Sequence, residues 1–167
     1  ERARAKEILF EYNNLHPSEM EKRTEILKHF LGATGKQLLI EQPFRCDYGY
    51  NIRVGENFYA NMGCTILDEA LVTFGDNVLL APNVSIYTAG HAVNVAQRVA
   101  GWEYAYPVTV GHNVWIGGNV VILPGVSIGD NSIIGGGSVV TKDIPANVIA
   151  VGNPCKVIRE LTEDELK

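Results

Sequence analysis

Residues 110–142 read VGHNVWIGGNVVILPGVSIGDNSIIGGGSVVTK. An apolar residue returns every six positions, at Val110, Ile116, Ile122, Ile128, Ile134 and Val140. Two positions before each lies a second apolar or small residue: Val108, Val114, Val120, Val126, Ser132 and Ser138. A helix repeats about every 3.6 residues and a strand about every two, so neither alone gives a period of six. Short strands joined by regular corners do. Residues i−2 and i share one face of a strand and point inward, and the next few turn the chain. Glycine follows the inward residue at Val110-Gly111, Ile116-Gly117, Ile128-Gly129 and Ile134-Gly135. A corner there needs positive φ or a close backbone approach, which glycine tolerates best. The pattern predicts a hexapeptide-repeat parallel β-helix.

Working upstream, Val54-Gly55, Ala60, Ile66 and Val72 follow one six-residue register, and Phe74-Gly75, Leu80 and Ile86 another. Between Ile86 and Val110 the rhythm pauses, in an interval that holds His91, Trp102 and Glu103. This predicts a loop over about residues 92–107, thrown out from one corner; long loops in repeat proteins are commonly functional. Downstream the repeat fades through Val148 to Val151-Gly152-Asn153-Pro154, where Pro154 closes the stack. In the tail, residues 159–167, Thr162 and Glu165 are spaced to cap a last helical turn. Before the repeats, Ile8, Leu9, Tyr12 and Leu15 stand at helical spacing, ended by Asn13-Asn14 and His16-Pro17. A second helix is expected from Ser18, with Glu21 completing a capping box and Gly32 as the residue just past its end. Residues 1–35 thus read as a helical arm packed on a β-helix of residues 36–158. Such a stack leaves flat faces and open ends to be covered, so an oligomer is expected.

The totals bound the function. The 167 residues suffice for one domain with a real core, 46% are hydrophobic, and no apolar run has membrane length. A net charge of −5 argues against nucleic acid as a partner, since phosphate binding needs a basic surface. Cys46, Cys64 and Cys155 are widely spaced and odd in number, so a reduced, cytoplasmic setting is the simplest reading. No signal-peptide pattern opens the chain. It begins at Glu1 rather than Met, which leaves room for a preceding segment.

The segments RCDYGYNI (45–52), FYANMGCTILDE (58–69), GDNVLLAPNVSIYTAGH (75–91) and residues 111–158, with NVWIGG, VVTKDIP and GNPCKVI in order, resemble the maltose/galactoside O-acetyltransferase family. The resemblance covers nearly the whole chain. It implies a left-handed parallel β-helix assembled as a homotrimer, transfer of acetyl from acetyl-CoA to a sugar hydroxyl, and no metal. Handedness comes only from the resemblance, because ordinary parallel crossovers are right-handed.

An alcohol must lose its proton as it attacks a thioester, and histidine is well matched to taking it. His91 matches the family's base. Asn61 matches the residue beside it, where an amide could steady an oxyanion or orient the acceptor; a corner Asn in a left-handed conformation is the competing reading. Asp47, Tyr59 and Glu69 match positions lining the acceptor site, with Asp68 a rival to Glu69 as the true contact. For the cofactor, Gly117, Gly118 and Gly136 would let a pantetheine arm lie along backbone, or merely turn corners. Thr141, Lys142, Lys156 and Arg159 match phosphate-holding positions. Trp115 is expected to wall the CoA slot, to pack at the trimer interface, or both.

Cys64, at a small inward position, is expected to be an inert core residue rather than a nucleophile. His112 reads as a solvated corner residue, and His16 and His29 belong to the arm. A zinc carbonic anhydrase on this fold needs an HxxxxH pair that the chain lacks. A non-sugar acceptor (serine, an amino sugar or an antibiotic hydroxyl) and a non-catalytic scaffold are the remaining alternatives.

Overall fold

The computed structural model describes all 167 residues. The chain winds through three parallel sheets in strict rotation, forming the left-handed parallel β-helix that the repeat and the resemblance implied. Face 1 stacks Leu38–Ile40, Phe58–Ala60, Leu79–Leu80, Trp115–Ile116, Ile133–Ile134 and Val148–Val151. Face 2 stacks Arg45–Cys46, Thr65–Leu67, Ser85–Tyr87, Val121–Ile122 and Val139–Val140. Face 3 stacks Ile52–Arg53, Val72–Phe74, Val108–Val110 and Ser127–Ile128. Each inward residue sits on its counterpart in the coil below, as Ile122 does on Ile86 and Ile116 on Leu80. The resulting columns are dry: Val108, Val114, Val120, Val126, Ile116, Ile122 and Ile128 are all buried. Ser132 and Ser138 share that interior because each hydroxyl finds a carbonyl, of Pro145 at 2.7 Å and Gly135 at 2.5 Å.

Three edges join the faces. Between faces 3 and 1, Asn57, Asn77, Asn113, Asn131 and Asn147 all take positive φ. Their side-chain amides form a ladder, each donating to the next at 2.7–2.9 Å. The rungs are 20, 36, 18 and 16 residues apart; the wide step marks the coil that carries the extruded segment. The glycines after inward residues do not supply positive φ. They supply close approach: a Cβ on Gly75 would lie 2.8 Å from the Gly111 carbonyl carbon, and one on Gly117 2.6 Å from the Gly136 nitrogen.

Helices α1 (Arg2–Asn14) and α2 (Met20–Phe30) pack over the first coils through Ala5, Leu9, Tyr12, Leu27 and Phe30. The expected capping box is not formed. Ser18 Oγ is taken by His16 Nδ1 at 2.8 Å, the Glu19 carboxylate accepts from His16 N–H, and α2 begins without a side-chain cap. Nor does Gly32 end α2 in a left-handed turn. Leu31 is already extended, and Gly32 is needed because an added Cβ would land on the Tyr50 carbonyl oxygen.

The extruded segment is more ordered than a loop. Ala89–His91 pairs antiparallel with Glu103–Ala105, and a short helix, α3 (Val95–Val99), capped by Asn94, closes the far end. The ribbon therefore starts at Ala89 and includes His91. At the other terminus Lys156–Glu160 folds back antiparallel on Val148–Val151. Thr162 and Glu165 make the reciprocal bonds of a capping box, but around a single turn rather than a helix.

Candidate active site

The residues singled out in the sequence fall on two edges of the prism. The edge from face 2 to face 3 carries acidic groups. Asp47 leaves the first coil there, Asp68 and Glu69 the second, and the ribbon bearing His91 the third. The coils are tied together by Ala70 N–H, which donates to Thr88 Oγ1 at 2.9 Å, three residues before His91. Thr141 and Lys142 lie exposed on the same edge, near its other end.

Asp68 and Glu69 have separate jobs. Asp68 is fully buried and accepts from the backbone N–H groups of Asp47, Tyr48 and Gly49 at 2.8–2.9 Å. It holds the corner below and has no capacity facing outward; burial, offset by those donors, keeps its carboxyl above the usual range. Glu69 instead joins Asp47 under the Arg2 guanidinium of α1. Arg2 Nη2 is 2.6 Å from Asp47 Oδ1 and 3.8 Å from Glu69 Oε1. Burial, and next the neighbouring Asp47 carboxylate, push the Glu69 carboxyl up.

His91 is exposed on the ribbon, where its cross-strand neighbour is Glu103. Nε2 and Oε1 are 3.7 Å apart, too long for a hydrogen bond. The ribbon pairing brings Glu103 to His91, twelve residues away in sequence. The signal for it would have been an antiparallel pairing across the 92–102 connection, which contains α3. Arg2 had none, being 45 residues from Asp47.

The edge from face 1 to face 2 is built of small residues. Asn61 stands at its base, half-buried, with Oδ1 accepting from Met62 N–H at 2.8 Å. It does not adopt positive φ; Gly63 does. The left-handed corner reading of Asn61 is thereby removed. Above it, Gly117 has a packing reason of its own, whereas Gly118 and Gly136 lie over one another with little to displace: a Cβ on Gly118 would come no closer than 3.4 Å to anything. Gly137 N–H donates to Gly118 O across this track.

Face 1 itself presents Tyr59, half-buried beside Leu79, and Trp115, 52% exposed. A groove of about 600 Å³ runs beside Trp115, lined also by Asn113, Asn131, Ile133, Leu161 and Leu166. Lys156 and Arg159 lie on the terminal strand that closes this face. Arg159 grips the Glu165 carboxylate with two bonds of 2.7 Å, which draws Glu165 down to about 2.

Within one chain, then, Asp47, Glu69 and His91 share one edge, and Asn61, Gly117, Gly118 and Gly136 another, with face 2 between them. Cys64 is buried, its thiol pushed up to about 11 by desolvation, so it offers no thiolate. His112 is exposed at the asparagine edge, its Nδ1 accepting from Asp76 N–H at 3.0 Å. No group of three or more His, Cys, Asp or Glu side chains is arranged to hold a metal ion, and no helix is long and apolar enough to cross a membrane.

Residues 107–142 match the bacterial transferase hexapeptide family of six repeats, and residues 1–35 the maltose acetyltransferase hexapeptide capping motif. The chain is 52% identical to the galactoside O-acetyltransferase of Escherichia coli K12 over 162 residues, which are 97% of this chain and 80% of that protein. A solved structure of a galactoside acetyltransferase in complex with coenzyme A superposes with a TM-score of 0.96 at 52% identity, covering 99% of this chain and 82% of the other. The maltose O-acetyltransferase of Clostridium difficile 630 gives a TM-score of 0.96 at 56% identity, covering 98% and 87%. Matched across nearly its full length, this chain belongs to the maltose/galactoside O-acetyltransferase family.

Proposed function

We propose that the chain transfers the acetyl group of acetyl-CoA directly to a sugar hydroxyl, with His91 as general base. Family membership supports an acetyl-CoA-dependent sugar O-acetyltransferase; the base and the direct route are our reading. A neutral His91 ring accepts the hydroxyl proton as the sugar oxygen attacks the thioester carbonyl. The same proton then goes to the departing sulfur, so CoA leaves as a thiol and the ring returns to neutral. Glu103 steadies the imidazolium in between. The Asn61 amide donates to the negative oxygen of the tetrahedral intermediate. No covalent acetyl-enzyme is needed, in keeping with a buried, undissociated Cys64.

On the acceptor side, Asp47, Glu69 and Tyr59 take sugar hydroxyls, each carboxylate able to accept several bonds. On the cofactor side, Gly118 and Gly136 leave room for a pantetheine arm beside Trp115, with Gly117 holding the coils at the spacing that the track requires. Thr141, Lys142, Lys156 and Arg159 hold the phosphates, Arg159 by exchanging Glu165 for phosphate. These roles lie on two edges of one chain, so a complete site takes its acidic edge from one copy and its glycine edge from the next, in a homotrimer. Three unpaired thiols and dependence on acetyl-CoA fit the cytoplasm.

The single observation that carries the base is the rooting of the His91 ribbon on the edge that also holds Asp47 and Glu69. CoA release from acetyl-CoA with a sugar panel tests it. Sugar-dependent release should fall about 100-fold or more in His91→Ala. Unchanged sugar-dependent release in that variant would remove His91 from the chemistry.

A further inference from the structure

The Arg2, Asp47 and Glu69 cluster is one positive charge short. Asp47 is nine-tenths buried; its Oδ1 takes both guanidinium bonds, at 2.9 and 2.6 Å, while its Oδ2 is buried without a partner. Glu69 Oε2 is likewise buried and unpartnered. A single guanidinium serves both carboxylates, hydrogen-bonded to Asp47 and 3.8 Å from Glu69 Oε1, and it reaches neither of the two buried free oxygens.

We propose that the Asp47–Glu69 pair is a cation seat that selects an acceptor sugar bearing an ammonium group, a hexosamine, and that the enzyme acetylates a hydroxyl of that sugar while leaving its amine free. The proposal rests on the acetyltransferase reading above and names its acceptor class. A hydroxyl brings one donor and no charge; an ammonium brings three donors and a full charge, enough for both unpartnered oxygens. Arg2 shows that the place already holds a cation. Its side chain is 54% exposed, and it lies 6.0 Å from the Tyr48 ring centroid, an aromatic face that suits any cation. Asp68 cannot compete, since three backbone donors occupy it. An amine held as ammonium has no lone pair for attack. The reacting oxygen therefore belongs to a ring hydroxyl whose proton passes to His91, as its bond to the acetyl carbon forms and the carbon–sulfur bond breaks.

Isothermal titration of the full chain with methyl glucosaminide and with methyl glucoside tests the seat without requiring turnover. The amino sugar should bind at least about tenfold more tightly. In Asp47→Asn and in Glu69→Gln that advantage should shrink toward one. Equal or weaker binding of the amino sugar by the unmodified chain overturns the proposal, as does an advantage that survives both substitutions. Turnover then separates the two claims: an ester product that still reacts with fluorescamine is expected, and an amide product overturns the seat. Tight amino-sugar binding without acetyl transfer to any sugar keeps the seat and sinks the acetyltransferase reading.

Discussion

Glu165 is exposed, yet the bidentate clasp of Arg159 and the Thr162 N–H give it the largest downward shift in the chain, to about 2. A carboxylate depressed in the folded state contributes stability above its ordinary value, near 4.3, and loses that contribution as pH falls toward 2. Its carbon resonance should therefore titrate near 2 and return to the ordinary range in Arg159→Ala. If Arg159 is also a phosphate ligand, saturating CoA should raise the Glu165 midpoint; a midpoint indifferent to CoA would take Arg159 out of the cofactor site. The thiols make a second residue-scale test. Cys46, Cys64 and Cys155 are all buried and all pushed upward chiefly by desolvation. The native protein should resist a thiol reagent that modifies all three on unfolding, and Cys64→Ala should keep its activity at a cost of about 1 kcal/mol in stability. Single residues were legible where they belong to the repeat, as Cys64 does. Arg2 was not, because its partners are set by how the arm docks and no local spacing encodes that.

Elements show where the six-residue period carries information and where it stops. It named the inward residues from Val108 to Val140 because each small inward position must meet its counterpart one coil away. It was silent on the ribbon, whose paired strands Ala89–His91 and Glu103–Ala105 have no core to face and so no reason to repeat. The cap expected at Ser18 failed by local competition, since His16 offered that hydroxyl a nearer partner. The corners themselves divide into two kinds with different sensitivities. Asn131 combines φ of +60° with two ladder bonds, from Asn113 and to Asn147. Asn131→Ala should cost about 2–3 kcal/mol, and Asn131→Gly about 1–2 kcal/mol less, because glycine recovers the left-handed backbone but not the ladder. Gly32→Ala meets a backbone carbonyl with nowhere to go and should cost about 3 kcal/mol or more. At Gly137, φ is +72° with open space, and Ala there should cost only about 1–2 kcal/mol. Urea unfolding of the four variants orders them.

At the scale of the whole molecule the triangular section decides how a site can be assembled. Asn61 lies on one edge and His91 springs from the next, separated by the strands of face 2. The three residues Thr65–Leu67 alone span about 10 Å of extended chain between the two edges. A sequence read along one chain lists both residues without revealing that separation, since sequence order carries no record of which edge belongs to which copy. In a cyclic trimer each site would draw His91 from one copy and Asn61 from its neighbour. Mixing makes the consequence measurable. His91→Ala and Asn61→Ala proteins, each nearly inactive alone, are denatured together in equal amounts and refolded. Random assembly gives any site an intact histidine with probability one half and an intact asparagine with probability one half, so about one quarter of wild-type activity should return. Sites complete within one chain would return none beyond the residual activity of the parents. Recovery near one quarter, absent when the two proteins are mixed without unfolding, would show that two chains are needed to make each site, of which either alone contains only half.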